Sequence, residues 1–253
     1  MNTALRHWKE AATVILAAGT RHKLPVDSLT RLLLLKRSGT SGFMPNAYVF
    51  PGGMVDPSDF SSQWLDLFKS FRSSLNFGLG FVKQPPETRP PIFSTDRKKL
   101  GSPVPGDVAL RICAVRETFE ESGVLLVNNR YSQSELTRIT DLCDKSELAK
   151  WRMLVNENPC NFIRMCRELE CLPNIWALHE WGNWLTPTGA FYICCLQETP
   201  PHTLQDQKEI VHFKVEYLMI SCRPHYLPRE FSSVLFVAIY LPPQNKAGTK
   251  TTL

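Results

Sequence analysis

No apolar run in this 253-residue sequence is long. The longest, around residues 32–35, 190–196 and 234–241, fall far short of the roughly 18 residues a membrane-spanning helix requires, so a soluble protein is the expectation. Cys-x-x-Cys pairs are also absent: eight cysteines stand at 113, 143, 160, 166, 171, 194, 195 and 222, with no metal-ligand spacing among them. Cys113 falls on the apolar side of a helical pattern and Cys194-Cys195 within a strand pattern, which predicts buried, reduced thiols and a reducing compartment. A strong charge excess is missing as well. Twenty-nine Lys and Arg against 24 Asp and Glu leave +5, too mild and scattered to point to nucleic acid but compatible with an anionic ligand. Residues 1–9 are basic, yet no continuous apolar segment followed by a small-residue cleavage site is visible, so no secretory signal is expected. No internal repeat is evident. What remains, with 43% hydrophobic and 21% charged residues, is ordinary material for one sizeable domain.

The most informative stretch present is Arg116-Glu117-Thr118-Phe119-Glu120-Glu121-Ser122-Gly123-Val124. At about 100° per residue, Val108, Ile112, Val115 and Phe119 share a narrow apolar stripe, while Glu117, Glu120 and Glu121 lie opposite. The pattern predicts an amphipathic helix with one acidic face, capped at its start by Asp107 and ended at Gly123, where a left-handed residue suits a helix stop. Like charges three and four apart repel by roughly 0.2 to 0.5 kcal/mol per pair. Either the carboxylates form an ordinary solvated face, or a divalent cation compensates them.

Upstream, Phe50-Pro51-Gly52-Gly53-Met54-Val55-Asp56 closes a short β-rich run. Together the two stretches resemble the halves of the Nudix box, G-x5-E-x7-R-E-U-x-E-E-x-G-U, with U a bulky aliphatic residue. Gly53 fits the first position, and Arg116, Glu117, Glu120, Glu121, Gly123 and Val124 fit the second half. Asp59 stands where the pattern has its first Glu, and Thr118 stands at the first U. Residues 60–115 make 56 positions where the pattern has seven, an excess of 49. A box split in this way resembles the nucleoside diphosphate-linked moiety X motif 19 type, the peroxisomal coenzyme A diphosphatases. Further matches are Phe43-Met44-Pro45-Asn46-Ala47-Tyr48-Val49-Phe50, Phe77-Gly78-Leu79-Gly80, and Ile175-Trp176-Ala177-Leu178-His179 with Trp184-Leu185-Thr186-Pro187.

The resemblance implies an α/β fold, the Nudix α/β/α sandwich with a mixed sheet, over residues 8–214. It carries a long insert at about 60–106 and an added helical segment at about 134–170. It also implies hydrolysis of the diphosphate of coenzyme A or acyl-coenzyme A, with Mg²⁺ or Mn²⁺. Closely spaced anionic oxygens repel a nucleophile, so bound cations must neutralise them and acidify the attacking water. Hard cations want oxygen ligands. Glu120 and Glu121 are the direct ligand candidates. Glu117 is a further ligand or the base that takes the water proton, and the Gly53 carbonyl completes the shell. Arg116, four before Glu120, orients a carboxylate through a charge-assisted bond, and Asp59 does part of the missing Glu's work with a shorter reach. Glu198 and Glu209 are candidates for an extra carboxylate or are surface acids. Trp176, Trp181 and Trp184 either stack on an adenine or belong to the core. His179, His202 and His212 have no partner spacing that suggests a site. Alternatives within the same chemistry are capped RNA and other nucleotide-linked diphosphates; outside it, a non-catalytic Nudix-fold remnant.

Taken in order, residues 11–18, 32–36 and 47–50 read as strands too continuously apolar for a one-sided sheet. Phe60, Trp64, Leu67 and Phe71 recur at helical spacing from a cap at Ser58 or Asp59, and residues 85–105 carry six prolines and read as loop. Residues 124–127 read as a strand, 135–144, 147–155 and 161–169 as helices, and 175–179, 190–196 and 210–213 as strands. Two departures from the family pattern stand out. Pro187-Thr188-Gly189 runs directly into Ala190-Phe191-Tyr192, without the family's Arg-Phe-Asp-Thr loop, and residues 215–253 resemble an interior piece of a LINE-type retrotransposon endonuclease. That tail is expected to be foreign to the domain. A peroxisomal location is implied by the resemblance alone, with a cytoplasmic or mitochondrial one as the alternative, because Thr251-Thr252-Leu253 is a poor match to a Ser-Lys-Leu-like address.

Overall fold

The computed structural model describes residues 10–18, 31–40, 45–80, 102–129, 142–185, 188–196 and 210–213. Strand β1 (Glu10–Ala18) is the centre of a five-stranded mixed sheet. One edge pairs in parallel with β9 (Thr188–Leu196), in register from Glu10 against Thr188 to Ala18 against Leu196. The other edge is shared by two short antiparallel strands, β2 (Arg31–Leu32) near its end and β5 (Gly52–Met54) near its start. Strand β8 (His179–Leu185) completes the sheet beside β9, with a register shift between Glu180 and Gly182. A second sheet joins β3 (Leu35–Arg37) to β4 (Tyr48–Val49) and β10 (Ile210–Phe213), and a third pairs β6 (Val127–Asn129) with β7 (Cys171–Pro173).

Alternation along β1 explains why its sequence is continuously apolar. Ala12, Val14 and Leu16 face the main core, whereas Ile15 and Ala17 join Leu32 and Ile193 in a smaller cluster on the other face, packed against Phe50, Trp181, Phe191 and Cys195. The strand is thus buried on both sides, as its composition predicts.

Four α-helices are described: α1 (Trp64–Leu67), α2 (Gly106–Ser122), α3 (Lys145–Glu157) and α4 (Cys160–Glu168). The amphipathic reading of α2 needs correction. Val108, Ile112, Val115 and Phe119 are fully buried as expected, but so are Ala109, Leu110, Cys113, Ala114 and Thr118. The helix runs between β1, β5 and β9 on one side and α3 on another, so it has no broad solvated face. Asp107 does not cap it either. Pro105 occupies the cap in extended geometry, and Asp107, inside the first turn, accepts a hydrogen bond from Asn76 Nδ2 at 3.2 Å. Gly123 ends the helix with φ 74°, the left-handed conformation expected.

The helix expected from Phe60 to Phe71 is broken into 3₁₀ turns around the single turn of α1. Its first turn, Pro57–Phe60, is held by a reciprocal box: Asp56 Oδ1 accepts from Ser58 N, and Asp59 Oδ2 from Asp56 N. Trp64, Leu67, Phe68 and Phe71 are nevertheless buried, so the spacing identified core residues without a continuous helix. Trp176 stands 4.8 Å from Phe71 and 5.9 Å from Phe68, ring centre to ring centre, and its Nε1 donates to the Phe77 carbonyl. It is a core aromatic. Strand boundaries also move. Residues 33 and 34 separate β2 from β3, residues 124–126 lead up to β6, and Ile175–Ala177 is a 3₁₀ turn because the Asn174 side chain caps it at Ala177 N. Every cysteine among the described residues is a free thiol. The helix read over 135–144 falls mainly outside the described residues, as do the Pro-rich loop, apart from residues 102–105, and the tail from 215 onward.

Candidate active site

Strand β5 brings Gly53 against the last turns of α2, because Ala12 pairs with Gly53 in the sheet and α2 packs across the same region. Residues 69 positions apart then meet directly: Gly52 N donates to Glu121 Oε2 at 2.8 Å. Gly53 has to be glycine for reasons of space. A Cβ there would fall on the Glu117 carboxylate, 2.5 Å from Cδ and 2.8 Å from Oε1. At Gly52 it would come within 2.6 Å of the Ala12 carbonyl oxygen and Thr13 Cα. The glycine pair is therefore the floor on which two of the three acids rest.

Arg116 is the hub. Its side chain is 2% exposed and all five of its N–H groups are used. Nε and Nη2 grip Asp59 as a fork, each at 2.9 Å, Nη1 reaches Glu117 Oε1 at 2.9 Å and Glu120 Oε1 at 2.7 Å, and Nη2 also donates to the Met54 carbonyl at 3.0 Å. Asp59, at the position of the pattern's first Glu, is thus the buried partner of the arginine. Its shorter side chain is carried within reach by the 3₁₀ turn that Asp56 caps.

Burial and mutual repulsion set the acidities. Removal from water pushes Glu117 up to about 7, against the pull of Arg116 and with a further push from Glu120. Glu121 is pushed up to about 8 by burial, the Gly52 N–H notwithstanding, and Glu120 is raised by burial too. A set of oxygen donors that holds protons near neutral pH suits a hard divalent cation in kind, because the cation takes over the role of the protons. The geometry is not a closed cage. Among the described residues no three His, Cys, Asp or Glu side chains converge on one cation position, since Arg116 holds Glu117 and Glu120 and Gly52 holds Glu121. The Gly53 carbonyl faces the Cys113 thiol at 3.9 Å. The sequence-predicted residues are gathered on one wall, and a bound cation would have to draw the carboxylates off these partners.

These acidities give a stability signature. Glu117 and Glu121 have folded pKa values near 7 and 8 against 4.5 for the ordinary group, so the metal-free fold gains most from them below about pH 4.5 and loses that gain as pH rises through those values. Chelator-treated protein is expected to melt at progressively lower temperature as pH rises from about 4.5 to about 8 and to level off above that, with Glu121→Gln flattening the decline. Thermal melts across that range, with and without Mn²⁺, check it; an identical decline in the variant would refute the assignment.

Sequence reasoning found the acids, the arginine and the glycine, but missed the Gly52 N–H and the Met54 carbonyl, which act through backbone, and the Asp56 side-chain cap. Glu198, Glu209 and His202 lie outside the described residues, and the side chains of Trp184 and His212 are not described.

A mixed sheet centred on β1, with a buried Arg–Glu helix lying against a glycine floor, defines a Nudix fold. Residues 8–224 match the NUDT19 Nudix domain, and the chain belongs to that family. The match extends ten residues past 214, where the tail reading places the domain's end. The chain is similar to "Acyl-coenzyme A diphosphatase NUDT19" of Xenopus laevis, 49% identical over 243 residues, covering 85% of this chain and 63% of that protein. To the Gallus gallus protein of the same name it is 45% identical over 267 residues, covering 96% and 68%. The chain thus spans about two thirds of the length of these relatives. A crystal structure of a NUDIX hydrolase from Alicyclobacillus acidocaldarius superposes with TM-score 0.51 at 19% identity, over 81% of this chain and 77% of that one, which supports the fold.

Proposed function

We propose that this domain hydrolyses the diphosphate of coenzyme A and acyl-coenzyme A, yielding 3′,5′-ADP and 4′-phosphopantetheine or its acyl form. The observation that carries the reading is the reassembly of the split box: despite 56 intervening positions, Gly52 and Gly53 meet Glu121 and Glu117, and Asp59 meets Arg116. The names of the relatives point to the substrate. Glu120, Glu121, Glu117 and the Gly53 carbonyl are the residues that would hold Mg²⁺ or Mn²⁺, which when bound neutralises the diphosphate oxygens and acidifies the attacking water. Glu117 has the acidity of a base matched to neutral pH. In the reaction water oxygen bonds to phosphorus, the bridging P–O bond breaks, and Glu117 takes the water proton on a carboxylate oxygen. Arg116 holds Glu117 and Glu120 in place and does not itself move a proton.

Purified protein with Mg²⁺ or Mn²⁺ is expected to convert coenzyme A faster than capped RNA or ADP-ribose, with products identified by mass. Preference for capped RNA or ADP-ribose would redirect the substrate class, and inactivity on all three would favour a non-catalytic binding module. A peroxisomal location, proposed on family grounds, is checked by co-localisation of the tagged protein with a peroxisomal marker. For residues 215–253 we propose a transposon origin; recurrence of their coding sequence at unrelated genomic sites tests it, and a single-copy sequence would refute it.

A further inference from the structure

A paired hold on the backbone of the two adjacent acids at the end of α2 comes from outside the box. Arg152, on α3, is only 5% exposed, although an arginine on a helix ordinarily points to water. Its Nε donates to the carbonyl oxygen of Glu120 at 2.9 Å and its Nη2 to that of Glu121 at 2.8 Å. Carbonyls in the last turn of a helix lack intrahelical partners, and a cation there is favoured by the helix dipole. A lone cap would need only one such bond. Here both N–H groups fall on the two peptide units whose side chains are the candidate ligands, and fixing a carbonyl fixes the direction in which the same residue's Cβ leaves the backbone.

The helix pair α3 and α4 braces the other half of the site as well. Phe162 of α4 lies 6.0 Å from Trp64, ring centre to ring centre, and Trp64 Nε1 donates to the carbonyl of Ser58, the residue before Asp59. Thus the two helices between them support the turn that grips Arg116, through Phe162 of α4, and the turn that carries Glu120 and Glu121, through Arg152 of α3.

We propose that Arg152 is a positioning residue for the metal site, its paired bonds to the Glu120 and Glu121 carbonyls setting the direction of those carboxylates. Helices α3 and α4 are then part of the hydrolytic apparatus, not an appended module. The inference rests on the metal reading given under the proposed function.

The test is Mn²⁺ titration of the chelator-stripped full chain, followed by the spin resonance of free Mn²⁺, for the wild type, Arg152→Met and Arg152→Lys, each with a thermal melt. Arg152→Met is expected to bind Mn²⁺ about ten- to a hundredfold more weakly, the usual cost of losing an outer-shell partner, while still melting cooperatively above the assay temperature. Arg152→Lys keeps the charge and one donor and should recover part of that loss. Wild-type affinity in folded Arg152→Met would overturn the proposal and leave Arg152 a stabilising cap. If Arg152→Met does not fold, Arg152→Lys decides: severalfold weaker binding supports positioning, and unchanged binding overturns it. Failure of the wild type itself to bind Mn²⁺ would overturn the metal reading and this inference with it.

Discussion

Arg116→Met is expected to destabilise the fold by about 3 to 5 kcal/mol, the range for removing one partner of a buried ion pair. The magnitude follows from what is left behind. Asp59, whose side chain is 1% exposed, would keep its carboxyl group in the interior without the guanidinium fork, and the Met54 carbonyl would lose its donor. At about 2 to 4 °C per kcal/mol for a domain of this size, the melting temperature should fall by roughly 6 to 20 °C. Because the cost is an uncompensated charge and not lost packing, the double variant Asp59→Leu, Arg116→Met should be more stable than Arg116→Met alone. Thermal unfolding of the three proteins checks this. A double variant less stable than the single one would mean that the ion pair itself, and not its desolvated remnant, holds the turn.

Glu121→Gln should have the opposite profile, with the fold kept and chemistry lost. The amide oxygen can still accept from Gly52 N, so the contact between β5 and α2 survives, and replacing a carboxyl group that burial disfavours as an anion costs the metal-free fold nothing at neutral pH. What disappears is a charged oxygen ligand. A cation contribution of several kcal/mol corresponds to two or more decades of rate, so turnover of coenzyme A should drop at least about a hundredfold, with Glu120→Gln behaving similarly. Steady-state kinetics beside a thermal melt separate the two effects. Full turnover in either variant, or in wild type with excess chelator, would remove these residues from the metal assignment.

The site was legible in the sequence to the extent that it depends on helical phase. Glu117, Glu120 and Glu121 share one side of α2 wherever that helix packs, and Gly53 matched the box by position, while the close approach that requires a glycine there is visible only in the fold. Burial was not legible, because the elements enclosing α2 come from positions 10–18 and 145–157, and no local window contains them. For the same reason the helical pattern over residues 147–155 gave no sign that Arg152 reaches back to α2. The segment after Asp56 misled through its apolar spacing: Trp64, Leu67 and Phe71 repeat as a helix would, yet side-chain bonds within Asp56–Asp59 favour a tighter 3₁₀ turn there. At Asn174 the side chain won a similar competition against the strand.

The parallel register of β1 with β9 bears on the order of events during synthesis. Glu10 is paired with Thr188, 178 residues later, so one whole edge of the central strand has no neighbour until almost the entire domain has been made. At about 5 to 20 residues per second, that interval is roughly 10 to 35 seconds. Through it, Ala12, Val14, Ile15 and Leu16, all destined for the interior, remain available to any other β-prone chain. Helix α2 is complete long before its sheet is. A ribosome-bound chain of this protein therefore carries its acids and arginine on a finished helix with an unfinished sheet beneath it, and the site is completed late, by a strand that contributes none of them.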